Sequence, residues 1–285
     1  MALTVNTNTA SLNAQRTYSR NQQAVSQVLA ELSSGSSINS AADNPAGLAI
    51  SQGLTTQING DQQALTNANS GISLTQTASG ALSQITQNTQ QIQQLAIEAS
   101  NGILSSSNRQ ALQQQVDQLT QANSQIVQTT NFNGTPLLSG NNGVTLQIGP
   151  NGTANNQVTI NSAGLDNTPA NGGLNTYNAN LNATGTIDIT TQANALHATS
   201  QITQDLNTLS NTQATVGAAQ NSLSATINNL ANTSINSQAA RSRISDTDFA
   251  AASAALAQNQ ILANAGASVL SQANVSQSAA LTLLR

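Results

Sequence analysis

Between residues 246 and 285 apolar doublets recur every seven residues: Ala255-Leu256, Leu262-Ala263, Val269-Leu270 and, after the polar doublet Ser276-Gln277, Leu283-Leu284. Seven residues make two helical turns, so the doublets fall on one side of a single helix. At about 1.5 Å per residue a helix over 247–285 spans roughly 55–60 Å. The stripe is broader than a two-helix seam needs, and almost nothing charged lies along it. Such a helix has no good solvent face and no core within its own segment. It must be buried by the far end of the same chain or by neighbouring copies.

The composition fits that demand. Of 285 residues, 38% are hydrophobic, 1% aromatic and 6% charged. A compact globule uses aromatics to fill its core and charges to stay soluble; here Ala, Leu and Ile supply contact, and Asn, Gln, Ser and Thr supply the rest. Long helices packed side by side suit this palette. The net charge is −4 and every basic residue is an Arg, so no basic patch points to nucleic acid. No apolar run approaches the ~18 residues of a membrane span. The first residues, Met1-Ala2-Leu3-Thr4-Val5-Asn6, lack the charged start and apolar core of a secretory signal. Cys is absent, which excludes disulfides and thiolate chemistry.

The chain then reads in order. Ala14, Tyr18, Val25, Val28 and Leu32 follow helical steps, predicting a helix that begins near Asn6 to Asn8 and stops at Ser33-Ser34-Gly35-Ser36-Ser37. Asp43-Asn44-Pro45 reads as a helix start, with an Asx cap and Pro in the first turn, continuing through Gly47 to Ile58. A second run covers about 62–100 and a third about 108–128. Asn131-Phe132-Asn133-Gly134-Thr135-Pro136 is a turn. The period then changes to two at Val144, Leu146 and Ile148 and again at Val158 and Ile160, predicting a β-hairpin across Gly149-Pro150-Asn151-Gly152. Residues 161–185 have no period and read as a surface segment; Ile187 and Ile189 are a candidate short strand. Ala195, Ile202, Leu209, Val216, Leu223 and Leu230 then stand seven apart, predicting a long helix to about Ser237. Asp246-Thr247-Asp248 caps the terminal helix.

The fold class is therefore mainly α: long antiparallel helices, coiled-coil pairing of the N- and C-terminal helices, and a small central β-hairpin region. The domain reading is an inner coiled-coil of 1–40 with 241–285, an outer helical layer of 41–143 with 190–240, and a hairpin with a short variable surface segment at 144–189.

Several stretches resemble the bacterial flagellins. They are Asn6-Thr7-Asn8-Thr9-Ala10-Ser11-Leu12-Asn13-Ala14-Gln15-Arg16; Leu32-Ser33-Ser34-Gly35 with Ile38-Asn39-Ser40-Ala41 and Ala46-Gly47-Leu48-Ala49-Ile50-Ser51; and Phe132-Asn133-Gly134 with Leu137-Leu138 and Gln147-Ile148-Gly149. Val216-Gly217-Ala218-Ala219-Gln220-Asn221, Ala240-Arg241-Ser242-Arg243-Ile244, Gln260-Ile261-Leu262, Gln272-Ala273-Asn274 and Leu281-Thr282-Leu283-Leu284 continue the match. In this order they are highly specific and leave only about 161–185 uncovered, an insert too short for a large outer domain.

The resemblance implies a flagellar filament subunit with an extracellular location in the filament, exported unfolded through a flagellum-specific channel without a cleaved signal peptide. Implied partners are further copies of itself, the export apparatus and its chaperone, and the filament cap and junction proteins. Self-assembly is expected of Ala14, Tyr18, Val25, Val28, Leu32, Leu256, Leu262, Val269, Leu270, Leu283 and Leu284. On residues alone the block from Ser33 to Ser51 is a helix–loop–helix joint or an inter-subunit contact; the resemblance favours the contact, through Ser33, Ser34, Gly35, Ile38, Asn39 and Gly47.

Two departures stand out. Ser36 and Ser37 replace the basic residues common in the family, so a salt bridge from this loop to a neighbour is not available. The family's contact with a flagellin-binding innate immune receptor uses a Gln-Arg pair, an apolar-rich stretch and a Glu; here the matching positions are Gln90, Gln91, Leu95 and Gln115, which keep the amide and the Leu and lose both charges. Weak receptor contact is expected.

No cofactor, metal or catalytic role is expected. His197 is the one His and reads as a surface residue, and no His-Glu-x-x-His zinc motif occurs. Two other functions stay open: a hook–filament junction protein with the same terminal heptads, and a flagellin-like cell-surface polysaccharide-binding protein.

Overall fold

The computed structural model describes residues 7–141, 143–179 and 187–282, with side-chain surroundings through 275. Among them run five α-helices: α1 (Thr9–Ser34), α2 (Pro45–Ala99), α3 (Ser106–Thr129), α4 (Gln192–Ser245) and α5 (Phe249–Thr282). Between α3 and α4 lie two antiparallel hairpins, β1 (Asn131–Phe132) with β2 (Thr135–Pro136), and β3 (Gly143–Gln147) with β4 (Gln157–Asn161). Contacts divide the chain into a terminal unit (Met1–Ile58 and Ile235–Arg285) and a central unit (Asn59–Ser234).

The central unit has its own core. All six heptad residues of α4, from Ala195 to Leu230, are buried. The five from Ala195 to Leu223 pack with Leu82, Ile85, Ile92, Ala96 and Ala99 of α2 and with Val116 and Val127 of α3, in two apolar clusters. Each large side chain buried this way contributes roughly 1.5–3 kcal/mol. Gln213, between the heptad residues Leu209 and Val216, donates to the Thr86 hydroxyl at 3.1 Å. Asn133 and Gly134 both take positive φ (50° and 79°) in the first hairpin turn, the backbone that a two-residue primed turn requires. In the second hairpin Val144 pairs Ile160 and Leu146 pairs Val158. Leu146 occupies the space a side chain would need at Gly71 of α2.

The structure differs from the sequence reading in four places. The run from Pro45 and the run near Gln62 are one continuous helix of 55 residues; the intervening Gly60 costs about 1 kcal/mol in a helix, too little to break it without a Pro. Helix α4 continues past Ser237 to Ser245, because no breaker intervenes before Asp246. The segment expected at the surface sends Leu165 and Leu174 into the core. Ile187 and Ile189, both fully buried, form no strand. Their backbone is instead held by the Gln113 side chain, which donates to Ile187 O at 2.9 Å and accepts from Ile189 N at 2.7 Å.

The 165–178 segment is pinned in a similar way. Asp205, fully buried on α4, accepts from Asn175 N (2.8 Å), Asn175 Nδ2 (2.8 Å) and Thr176 N (2.7 Å). Burial pushes its carboxyl above the usual aspartate range, against the lowering effect of these hydrogen bonds.

Candidate assembly surface

Helices α1 and α5 pair with each other in the terminal unit. Asn8 caps α1, its Oδ1 accepting from Ser11 N at 2.9 Å, and its Nδ2 donates to Ala273 O at 2.9 Å. Ser11 Oγ donates to Asn274 Oδ1 at 2.7 Å. Further along, Tyr18 lies over Gly266, where an added Cβ would come to 3.7 Å from its ring. The half-buried line of α1 is Ser11, Ala14, Tyr18, Asn21, Val25, Val28 and Leu32; that of α5 includes Ala252, Leu256, Asn259, Ala263, Gly266 and Leu270. Both follow the alternating three- and four-residue steps of a coiled coil.

The doublets of α5 therefore split. Ala263 is buried and Leu270 half-buried, whereas Leu262 is 44% exposed and Val269 58%. Phe249, Ile261 and Val275 are exposed as well, and on α1 so are Leu12 and Leu29. No residue of α1 is fully buried. The pair covers one face of each helix and leaves further apolar side chains exposed on both, most of them on α5. The structure brings Ala14, Tyr18, Val25, Val28, Leu32, Leu256 and Leu270 to the covered or half-covered face and Leu262 and Val269 to the open one. Leu283 and Leu284 lie outside the described residues.

The loop after α1 is stitched to the joint between α4 and α5. Gly35 ends α1 in the left-handed region (φ 69°), its N–H donating to Glu31 O, a conformation Gly adopts at little cost. Three groups then donate to the Ser245 carbonyl: Ser37 N at 2.7 Å, Ser36 Oγ at 3.0 Å and Ser37 Oγ at 3.1 Å. Thr247 N returns a bond to Gly35 O at 3.0 Å. Ser36 and Ser37 thus hold this joint within the subunit, a role that composition gave no sign of. Ser33 and Asn39 stay exposed, Ile38 is half-buried and Gly47 is buried.

The caps match the sequence reading. Asn44 Oδ1 accepts from Gly47 N at 2.9 Å at the start of α2, and Asp248 Oδ1 accepts from Ala250 N at 2.9 Å at the start of α5. The Asp43 carboxylate accepts from Ser40 N at 2.8 Å and Asn39 N at 3.1 Å. These bonds, the Ser40 one foremost, hold its pKa below the usual range.

In the central unit Gln90, Gln91 and Gln115 are exposed. Leu95 is half-buried against the cluster that contains Val116, the neighbour of Gln115. His197 is exposed on α4. Among the described residues no helix is long and apolar enough to cross a membrane, and no group of three His, Cys, Asp or Glu side chains is placed to hold a metal ion.

The sequence matches the bacterial flagellin N-terminal helical region over residues 5–143 and the bacterial flagellin C-terminal helical region over residues 199–284. It is 37% identical over 177 residues to the phase 1 flagellin of Salmonella naestved and to a flagellin of Salmonella derby, covering 60% of this chain and 35% of each relative. The chain thus spans about a third of the length of the curated relatives it matches. Among solved structures it is similar to Bacillus cereus flagellin, with a TM-score of 0.48 and 21% identity over 58% of this chain and 88% of that one.

Proposed function

The chain belongs to the bacterial flagellin family, and on that premise we propose that it is a structural subunit that polymerises into the flagellar filament for swimming. The observation that carries this reading is the open apolar face of the α1–α5 pair. Leu262, Val269, Ile261 and Phe249 remain exposed after the two helices have paired. Apolar area left in water costs about 25 cal/mol per Å², and a long unpartnered apolar face marks an association surface. Charge is scarce on this face, so copies approach without desolvating ions. In this reading residues 1–40 and 241–285 form the inner layer of the polymer.

Deleting residues 256–285 tests the proposal. The variant is expected to stay monomeric while retaining a folded central unit, whose core draws nothing from that stretch. Normal filaments from it, seen by electron microscopy, would refute the reading.

Location outside the cell and dealings with the export apparatus, its chaperone, and the cap and junction proteins follow from membership of the family and belong to the same proposal. Receptor activation is expected to be weak, because Gln91 and Gln115 are exposed and uncharged. Full potency in a reporter-cell assay would overturn that part.

A further inference from the structure

One ionisable group has no role in the assembly surface or in the pinning of the central loops. Asp61 lies on α2 in the buried line of Ile58, Ala64 and Ala68, is 1% exposed, and neither of its carboxyl oxygens has a hydrogen-bond partner. Nothing in the sequence around it supplies a countercharge. The hairpin from Gly143 to Asn161 contains no ionisable residue, α4 has none between Asp205 and Arg241, and α2 itself carries only Asp61 and Glu98. Burying a carboxylate without a partner is far more costly than burying the neutral acid.

The neighbouring residue shows what lies over this part of the helix. An added Cβ on Gly60 would come within 2.7 Å of Pro150 Cβ, so the turn between β3 and β4 sits directly on α2. Asn67 Nδ2 holds the same hairpin through Gln147 O at 2.9 Å. We infer that Asp61 is a proton-operated latch. Its neutral acid lets the β3–β4 turn close onto α2 beside it, and its ionisation loosens that seat. Burial alone holds its carboxyl above the usual aspartate range.

The sign follows from linkage. A carboxyl whose folded pKa exceeds its unfolded value adds stability fully below the unfolded value, about 3.9, and loses it as pH rises through the folded value. The central unit is therefore stabilised by acid at this site, opposite to the effect of a carboxylate that caps a helix.

The test uses the unpolymerised full-length chain and compares wild type, Asp61→Asn and Asp61→Leu by thermal melting between pH 3 and pH 8. Both variants are expected to melt above wild type at neutral pH, with the gap closing toward pH 3. Each tenfold displacement of the proton equilibrium corresponds to about 1.4 kcal/mol, or about 2–4 °C in a chain of this size. Asp205 is common to all three proteins, so its titration cancels in the difference. In wild type, the protection of the Ile148 amide, which donates to Asn156 O at 2.7 Å across the turn, taken relative to its intrinsic exchange rate, should fall above the Asp61 midpoint; in Asp61→Asn it should not. An NMR titration of the Asp61 carboxyl in wild type decides the matter even if neither variant folds. A midpoint above the ordinary aspartate value supports the latch. A midpoint at or below it, or a gap between variant and wild type that ignores pH, overturns it.

Discussion

The two units are written in nearly the same alphabet, yet they end in different states. The central unit places one apolar residue every seventh position on α4 and buries all six. The terminal unit places two adjacent apolar residues at three successive repeats of α5, and at Leu262-Ala263 and Val269-Leu270 it covers only one member of each. A single line per helix is consumed by partners within the chain. A double line is more than the one partner helix, α1, can cover. The excess is the part left for other copies, so stripe width separates a helix that folds in cis from one that finishes folding in trans.

Substitutions at matched positions should pull the units apart. Leu209→Ala, in the fully buried line of α4, is expected to lower monomer stability by about 2–5 kcal/mol through the cavity it leaves, measured by urea denaturation of unpolymerised protein. Asp205→Ala strands the buried donors of Asn175 and Thr176 and is expected to cost about 2 kcal/mol, with faster amide exchange confined to 165–178. Leu262→Ser combined with Val269→Ser changes residues already exposed, so monomer stability should move by no more than about 0.5 kcal/mol. The concentration needed for polymerisation should nonetheless rise severalfold. If the double substitution destabilised the monomer as much as Leu209→Ala, the distinction between the units would fail.

The smallest effects concern charge. Asp43 has a lowered pKa, so the stability it lends the loop is present above its unfolded value, about 3.9, and is lost as pH falls through the folded one. Protection of the Asn39 and Ser40 amides, taken relative to their intrinsic exchange rates, should fall there, and in Asp43→Asn it should not depend on pH. Filaments should tolerate a roughly tenfold change in salt with little change in stability, since few charges exist to be screened.

Legibility followed the same division. The α4 heptads, both hairpin turns and the caps at Asn44 and Asp248 could be read from sequence because each is a local pattern satisfied locally. The doublets of α5 gave the stripe but not its orientation. Both members are apolar, and only the position of α1 decides that Ala263 and Leu270 turn inward while Leu262 and Val269 face out. The single polar pins were invisible. Gln113 holds Ile189 across 76 residues and Asp205 holds Asn175 across 30, and one residue has no period. Ser36 and Ser37 read as the loss of a charge, and only the position of the Ser245 carbonyl reveals what their hydroxyls do.

Hydrogen exchange, followed residue by residue in the monomer and in the assembled polymer, tests the division most directly. Helices Thr9–Ser34 and Phe249–Thr282 should exchange quickly in the monomer and become strongly protected in the polymer, while the buried stretches of α2 and α4 in the central unit stay protected in both. Protection of α1 and α5 in the monomer equal to that of the central unit, unchanged on polymerisation, would contradict the claim that the terminal pair is completed by other copies.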